Sequence, residues 1–135
     1  MRYLYDADAT IDILTNQPRA RTRFETCIVD GVGFSVITLI ELYTGVYGST
    51  DPQRARGELE AVLQAAEIVP LDDRVVQRAA HLRADLLAMR APIKQRAFDL
   101  VIAATALEHQ LTLVTSNARD YADVLGLTLL DPRLP

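Results

Sequence analysis

The sequence predicts an α/β protein, a three-layer α/β/α sandwich around a central, mostly parallel sheet. Short runs such as Leu111-Thr112-Leu113-Val114-Thr115 are apolar and β-branched, as strands covered on both faces are. Between them lie longer stretches whose apolar residues recur at three- and four-residue spacing, the period of helices. Alternating strands and helices imply right-handed crossovers and a parallel sheet. With 135 residues, half of them apolar, and no low-complexity tract or internal repeat, a single domain over residues 1–135 is expected.

In chain order, Arg2 to Tyr5 reads as the first strand, ended by Asp6-Ala7-Asp8-Ala9-Thr10, after which Ile11, Ile13 and Leu14 begin a helix. Pro18 starts a second helical stretch with Ala20, Phe24, Cys27 and Ile28 on its apolar face and Arg19, Arg21 and Arg23 mostly opposite, a solvated face. Gly31 and Gly33 mark a turn, and Phe34 to Ile37 is the second strand. Thr38 can cap the next helix with Glu41 three residues on, the capping-box spacing. After a break at Gly45 to Pro52, Gln53 to Ala66 is helical, with Leu59, Val62, Leu63 and Ala66 on one face. Ile68 to Leu71 is a third strand whose Pro70 suggests an edge. Asp72 or Asp73 opens a long helix with a core stripe of Val75, Ala79, Leu82, Leu86 and Met89. A loop from Ala91 to Ala97, containing Pro92, Lys94 and Arg96, delivers the chain to Asp99. The helix from Phe98 to Leu107 is apolar nearly all round and carries that single acid at its head, where it is either a dipole partner or part of a site. After the strand at 111–115 a polar turn, Ser116 to Tyr121, begins a short helix, and Leu127 to Leu130 is the last strand.

Composition narrows the function. One cysteine, Cys27, excludes an intramolecular disulfide and a cysteine-based zinc site, and suits a reducing cytoplasm. Acids at positions 6, 8 and 12 interrupt any secretory apolar core, and no apolar run approaches a membrane span, so a cytoplasmic protein without membrane contact is expected. The net charge of -4 argues against broad electrostatic binding of nucleic acid but not against a nuclease whose acidic centre is neutralised by metal ions. Thirteen of the fourteen basic residues are arginine, the better partner for phosphate and carboxylate, so both RNA and an acidic protein remain open.

Asp6, Glu41, Asp99 and the turn holding Asn117 and Asp120 share a setting that most acids here lack. Each is flanked by apolar sequence and falls at a strand end or in the first turn of a helix. Parallel sheets bind ligands beyond the carboxyl ends of their strands. Several carboxylates held together repel one another, and a hard divalent cation removes the conflict. Magnesium or manganese suits an Asp/Glu set without cysteine or histidine clusters and can activate water for phosphodiester hydrolysis. His81 and His109 fall on helices away from this set.

These segments resemble the PIN-domain ribonucleases, specifically the VapC-type toxins of bacterial toxin-antitoxin pairs. The resemblance runs through Tyr3-Leu4-Tyr5-Asp6, Ser35 to Val46 with Glu41, Arg96 to Leu107 with Asp99, and Leu113 to Tyr121. It implies a magnesium-dependent endoribonuclease, with Mn2+ as a possible substitute, in which Asp6, Glu41 and Asp99 match the family's metal-binding acids. Asp120 is the favoured fourth acid, with Asn117 as an orienting neighbour. It also implies an RNA substrate, a homodimer, and a cognate antitoxin whose tail enters the acidic groove. Where the family commonly has Asp-Thr-Asn, this chain has Asp6-Ala7-Asp8, which leaves two roles open for Asp8: joining the metal shell, or altering activity.

Two rivals follow from the residues. Asp6-Ala7-Asp8-Ala9-Thr10 also looks like the DxDxT start of haloacid-dehalogenase-type phosphatases, with Asp6 as nucleophile and Asp8 as acid/base, but Lys94 is the only lysine for such a site and no usual acidic pair follows. The other rival is a non-catalytic PIN-like binding module.

Overall fold

Leu4 and Tyr5 show why a sheet lies at the centre. Successive strand residues point to opposite faces, and here Leu4 packs into one apolar cluster while Tyr5 packs into the other, both fully buried. The same alternation places Leu113 in one cluster and Val114 in the other. A strand buried on both sides needs helices on both sides, which accounts for the three layers.

The computed structural model describes residues 1–90 and 96–135. Its elements, in order, are β1 (Tyr3–Tyr5), α1 (Ala7–Leu14), α2 (Pro18–Asp30), β2 (Val32–Ser35), α3 (Val36–Tyr47), α4 (Pro52–Leu63), β3 (Glu67–Val69), α5 (Asp73–Ala88), α6 (Ala97–Glu108), β4 (Thr112–Val114), a 3₁₀ turn (Ala118–Tyr121) and β5 (Leu129–Leu130). The five strands lie in the order β3-β2-β1-β4-β5, and every neighbouring pair is parallel. β3 is an edge strand, as Pro70 suggested. The chain builds outward from β1 in one direction through β2 and β3 and in the other through β4 and β5, so the topological reversal falls between β1 and β4. That is where an open parallel sheet leaves a crevice at its carboxyl edge.

Several boundaries differ from the sequence reading, each for a local reason. α1 starts at Ala7 rather than near Ile11, because Asp6 caps it by accepting from the Ala9 backbone N–H at 2.9 Å. Gly33 lies inside β2, and only Gly31, at φ 98°, makes the turn. β2 ends at Ser35 and α3 begins at Val36, capped by the Ser35 hydroxyl, which accepts from the Thr38 N–H at 3.1 Å. Thr38 is therefore not the cap and Glu41 is not its box partner. Asp72 caps α5, accepting from the Val75 N–H at 3.0 Å. Val75 and Leu86 on that helix are buried, but Met89 lies beyond its last turn, 70% exposed, and is not core. Pro92 and Lys94 of the predicted loop lie outside the described residues. No helix among the described residues is long and apolar enough to cross a membrane.

On one side of the sheet Tyr5 meets Phe24 edge-on, with ring centroids 5.4 Å apart and planes at 85°, and Cys27 is buried beside them. Among the described residues the Tyr5 hydroxyl has no well-formed hydrogen bond; the Cys27 thiol, a weak partner, lies next to it, and burial raises the phenol's pKa well above its ordinary range.

Candidate metal centre

Asp6 follows β1 directly, and its N–H donates to the Val114 carbonyl at 3.1 Å, which ties it to the last residue of β4. The acid thus stands over the junction of β1 and β4. It is only 5% exposed, and its carboxylate lies at the N-terminus of α1, where the helix dipole favours negative charge. Desolvation nevertheless dominates and pushes its pKa up to about 7. The Thr115 hydroxyl and the Ala9 N–H pull it down, while Asp8 and Glu41 push it further up.

The other acids arrive from separate elements. Glu41 is in the second turn of α3, which leaves the carboxyl end of β2, and it stays largely exposed. Its pKa is raised by partial burial and then by the charges of Asp99 and Asp8. Asp99 is half-buried in the first turn of α6 and is raised by desolvation and by Asp120, with the Tyr121 hydroxyl and Arg96 acting in the opposite sense. The Tyr121 hydroxyl donates to Asp99 Oδ1 across a long 3.4 Å. Asp8, exposed in the first turn of α1, accepts from the Asn117 side-chain amide. Asp120 is exposed on the 3₁₀ turn.

Asp8 bears on Asp6, Glu41 and Asp99 alike, so these four acids share one electrostatic neighbourhood, which Asp120 enters through Asp99. Asn117 and Asp120, alternatives for one position in the sequence, do different things here: the first holds Asp8 and the second faces Asp99. Sequence reasoning missed Tyr121 and Arg96 as neighbours of Asp99. Tyr121 reads locally as one more buried aromatic, and no spacing rule connects it to an acid 22 residues away.

None of Asp6, Asp8, Glu41, Asp99 and Asp120 forms an ion pair among the described residues. The same residues contain no three acids close enough around one point to make a ready cation cage. Like charges without a counterion are expected to stand apart in this way. The donor set nevertheless fits a hard divalent cation: all oxygen, without an ion pair among the described residues, and with one buried carboxylate whose proton a metal would displace.

A family model described as "PIN domain" matches residues 3–125. Two relatives, each called "tRNA(fMet)-specific endonuclease VapC", align along nearly their whole length. The one from Salmonella typhimurium is 26% identical over 132 residues, covering 97% of this chain and 98% of its own. The one from Shigella flexneri is 28% identical over 137 residues, with the same coverage. Among solved structures, the DNA-bound VapBC of Salmonella typhimurium superposes with a TM-score of 0.88 at 26% identity, over 98% of both chains.

Proposed function

Because this chain belongs to the PIN-domain family, we propose that it is a metal-dependent endoribonuclease, acting as the toxin of a toxin-antitoxin pair over its full length as one domain. The observation that carries the reading is the set of acids at the β1/β4 crevice that have no ion pair among the described residues, with Asp6 buried and protonatable near pH 7. The family match also sets aside the aspartyl-phosphatase alternative.

In this reading Asp6, Glu41, Asp99 and Asp120 hold magnesium or manganese, and Asp8 and Asn117 support them. Held there, such an ion would supply positive charge in the acidic groove and so favour attack of water on a bound phosphodiester. The chain's own residues do the rest. The Ala9 N–H and the α1 dipole orient the Asp6 carboxylate. Tyr121 donates to Asp99, and the Asn117 amide donates to Asp8 and holds it. Burial of Asp6 keeps one ligand out of bulk water, so binding of the ion is coupled to loss of its proton.

The natural partner is proposed to be a cognate antitoxin, since the Salmonella relative was solved as a VapBC assembly. A cleft of about 420 Å³ between α1, α2 and α4, with Ile13, Leu14, Phe24, Ile28 and Val62 on its walls, suits an apolar segment of that partner. A second copy of the chain suits the outer side of α5, where Val76 and Leu87 are about half exposed.

The test is cleavage of structured RNA, with initiator tRNA as the first substrate, by partner-free protein in Mg2+ or Mn2+, in chelator, and with Asp99→Asn. Metal-dependent cleavage that disappears in folded Asp99→Asn is expected. Full activity of that variant would remove the metal-site assignment. The wide spacing of the acids favours one other reading, a non-catalytic binding module, which inactivity on every RNA together with absence of metal uptake would support.

A further inference from the structure

Arg96 is the residue just before α6, and it is fixed at both ends. Its carbonyl accepts from the Leu100 N–H at 2.9 Å and so belongs to the first turn of the helix that carries Asp99. Its guanidinium reaches 27 residues along the chain to Asp123, where Nη1 donates to Oδ2 and Nη2 to Oδ1, each at 2.7 Å. Nη2 also donates to the Asp120 carbonyl at 2.9 Å, on the 3₁₀ turn itself. A two-pronged pair of this kind fixes direction as well as distance. It is also the least exposed of the arginines in ion pairs among the described residues, 18% against 44% or more for the others. Asp123 is 37% exposed, so the constraint comes from the forked geometry rather than from burial of the pair.

The guanidinium's hydrogen bonds go to Asp123 and to the Asp120 carbonyl, and its charge also bears on Asp99 and Asp120 without forming an ion pair with either among the described residues. Asp99 and the Asp120 side chain, which it holds in relation to each other, keep theirs unpaired among the described residues. We infer that Arg96 is a positioning residue: with Asp123 it locks the 3₁₀ turn against the start of α6, so that Asp99, Asp120 and Tyr121 keep one arrangement at the crevice. The inference rests on the metal-centre reading above. It adds that the geometry of one flank of that centre is set by a residue that touches neither metal nor RNA.

Two measurements on the full chain test it. The first is amide hydrogen exchange without metal. Arg96→Met is expected to speed exchange across residues 117–124 while leaving the central strands β1 and β4 protected as in wild type. The second is Mn2+ uptake followed by the loss of the free-ion spin-resonance signal. Residues that orient metal ligands typically change affinity about 10- to 100-fold, and Arg96→Met is expected to raise the half-saturating Mn2+ concentration by about 10-fold at least. Arg96→Lys keeps the charge but not the fork, and is expected to behave like the methionine variant. Asp123→Asn combined with Arg96→Met should be no worse than the more severe single change, as members of one unit are. Exchange at 117–124 unchanged in Arg96→Met, or wild-type Mn2+ uptake in either Arg96 variant, overturns the inference. Wild-type protein that takes up no Mn2+ removes the metal reading instead, and the exchange measurement then decides the brace alone.

Discussion

Two sets of acids in this molecule are treated in opposite ways. Asp123 and Asp131 are each met by an arginine, Arg96 and Arg133, at 2.7 Å, and their pKa values are held below the ordinary range by those hydrogen bonds. Glu108 is flanked by Arg74 and Arg78, with the Arg78 Nε at 3.0 Å. At the crevice, Asp6, Glu41 and Asp99 are all pushed upward, with desolvation the leading cause in each case. The chain has thirteen arginines, so the absence of ion pairs at the crevice among the described residues is not a shortage of partners. Partly buried acids that share one neighbourhood without a counter-charge among the described residues destabilise a fold, and their retention points to a ligand that supplies positive charge.

The sharpest way to break this contrast is to neutralise a crevice acid and measure the proposed activity. Asp99→Asn is expected to lower metal-dependent RNA cleavage by roughly 10⁴-fold, about 5 kcal/mol of barrier, with its circular dichroism and melting unchanged in kind. The next largest effect is on stability. Asp6 is protonated in the metal-free fold up to about pH 7 but ionises near 3.8 when unfolded. The folded state therefore holds the extra proton between those values, and stability falls as pH rises from about 4 to 7. Asp6→Asn keeps the cap on α1 and removes the titration. Metal-free Asp6→Asn is expected to be more stable than wild type at pH 8 by roughly 4 kcal/mol, about three units at 1.36 kcal/mol each, with the gap closing toward pH 4. Chemical denaturation across that range measures it, and a pH-independent difference would mean that Asp6 does not carry the crevice strain. Adding Mn2+ to wild type at pH 8 should recover about 3 kcal/mol at a hundredfold excess over its dissociation constant, and chelator should remove it. Asp6→Asn should gain much less.

The sequence made the sheet legible because its strands are short apolar runs between periodic stretches, and it marked Asp6, Glu41 and Asp99 because an acid beside apolar residues at a strand end stands out. It was less informative wherever a polar side chain chose between neighbours. Ser35 rather than Thr38 caps α3, and Asp6 begins α1 several residues before the apolar pattern does. Each choice depends on where the preceding strand ends, which pairing with other strands sets. Tyr121 and Arg96 were invisible for a stronger reason. Their contacts with Asp99, Asp120 and Asp123 span more than twenty residues, and helical or strand periodicity carries no record of them.

The smallest effect completes the comparison, because its sign is opposite. Asp131 accepts from the Arg133 Nε at 3.0 Å and from Nη2 at 2.7 Å, and its pKa lies below the usual carboxylate range. A depressed pKa contributes stability above the unfolded value, and that contribution is lost as pH falls through the folded one. Asp131→Asn should therefore be slightly less stable than wild type at pH 5 to 8 and equal to it in strong acid, the reverse of the Asp6→Asn profile. Arg133 is largely solvated, so solvent and salt screen the pair, and the difference should shrink further as ionic strength rises. Paired denaturation curves at pH 8 and near pH 3 check both signs in one experiment. If Asp131→Asn stabilised the protein at pH 8 as Asp6→Asn is expected to, then removing any negative charge from this acidic chain would suffice. The contrast would then belong to net charge rather than to the crevice.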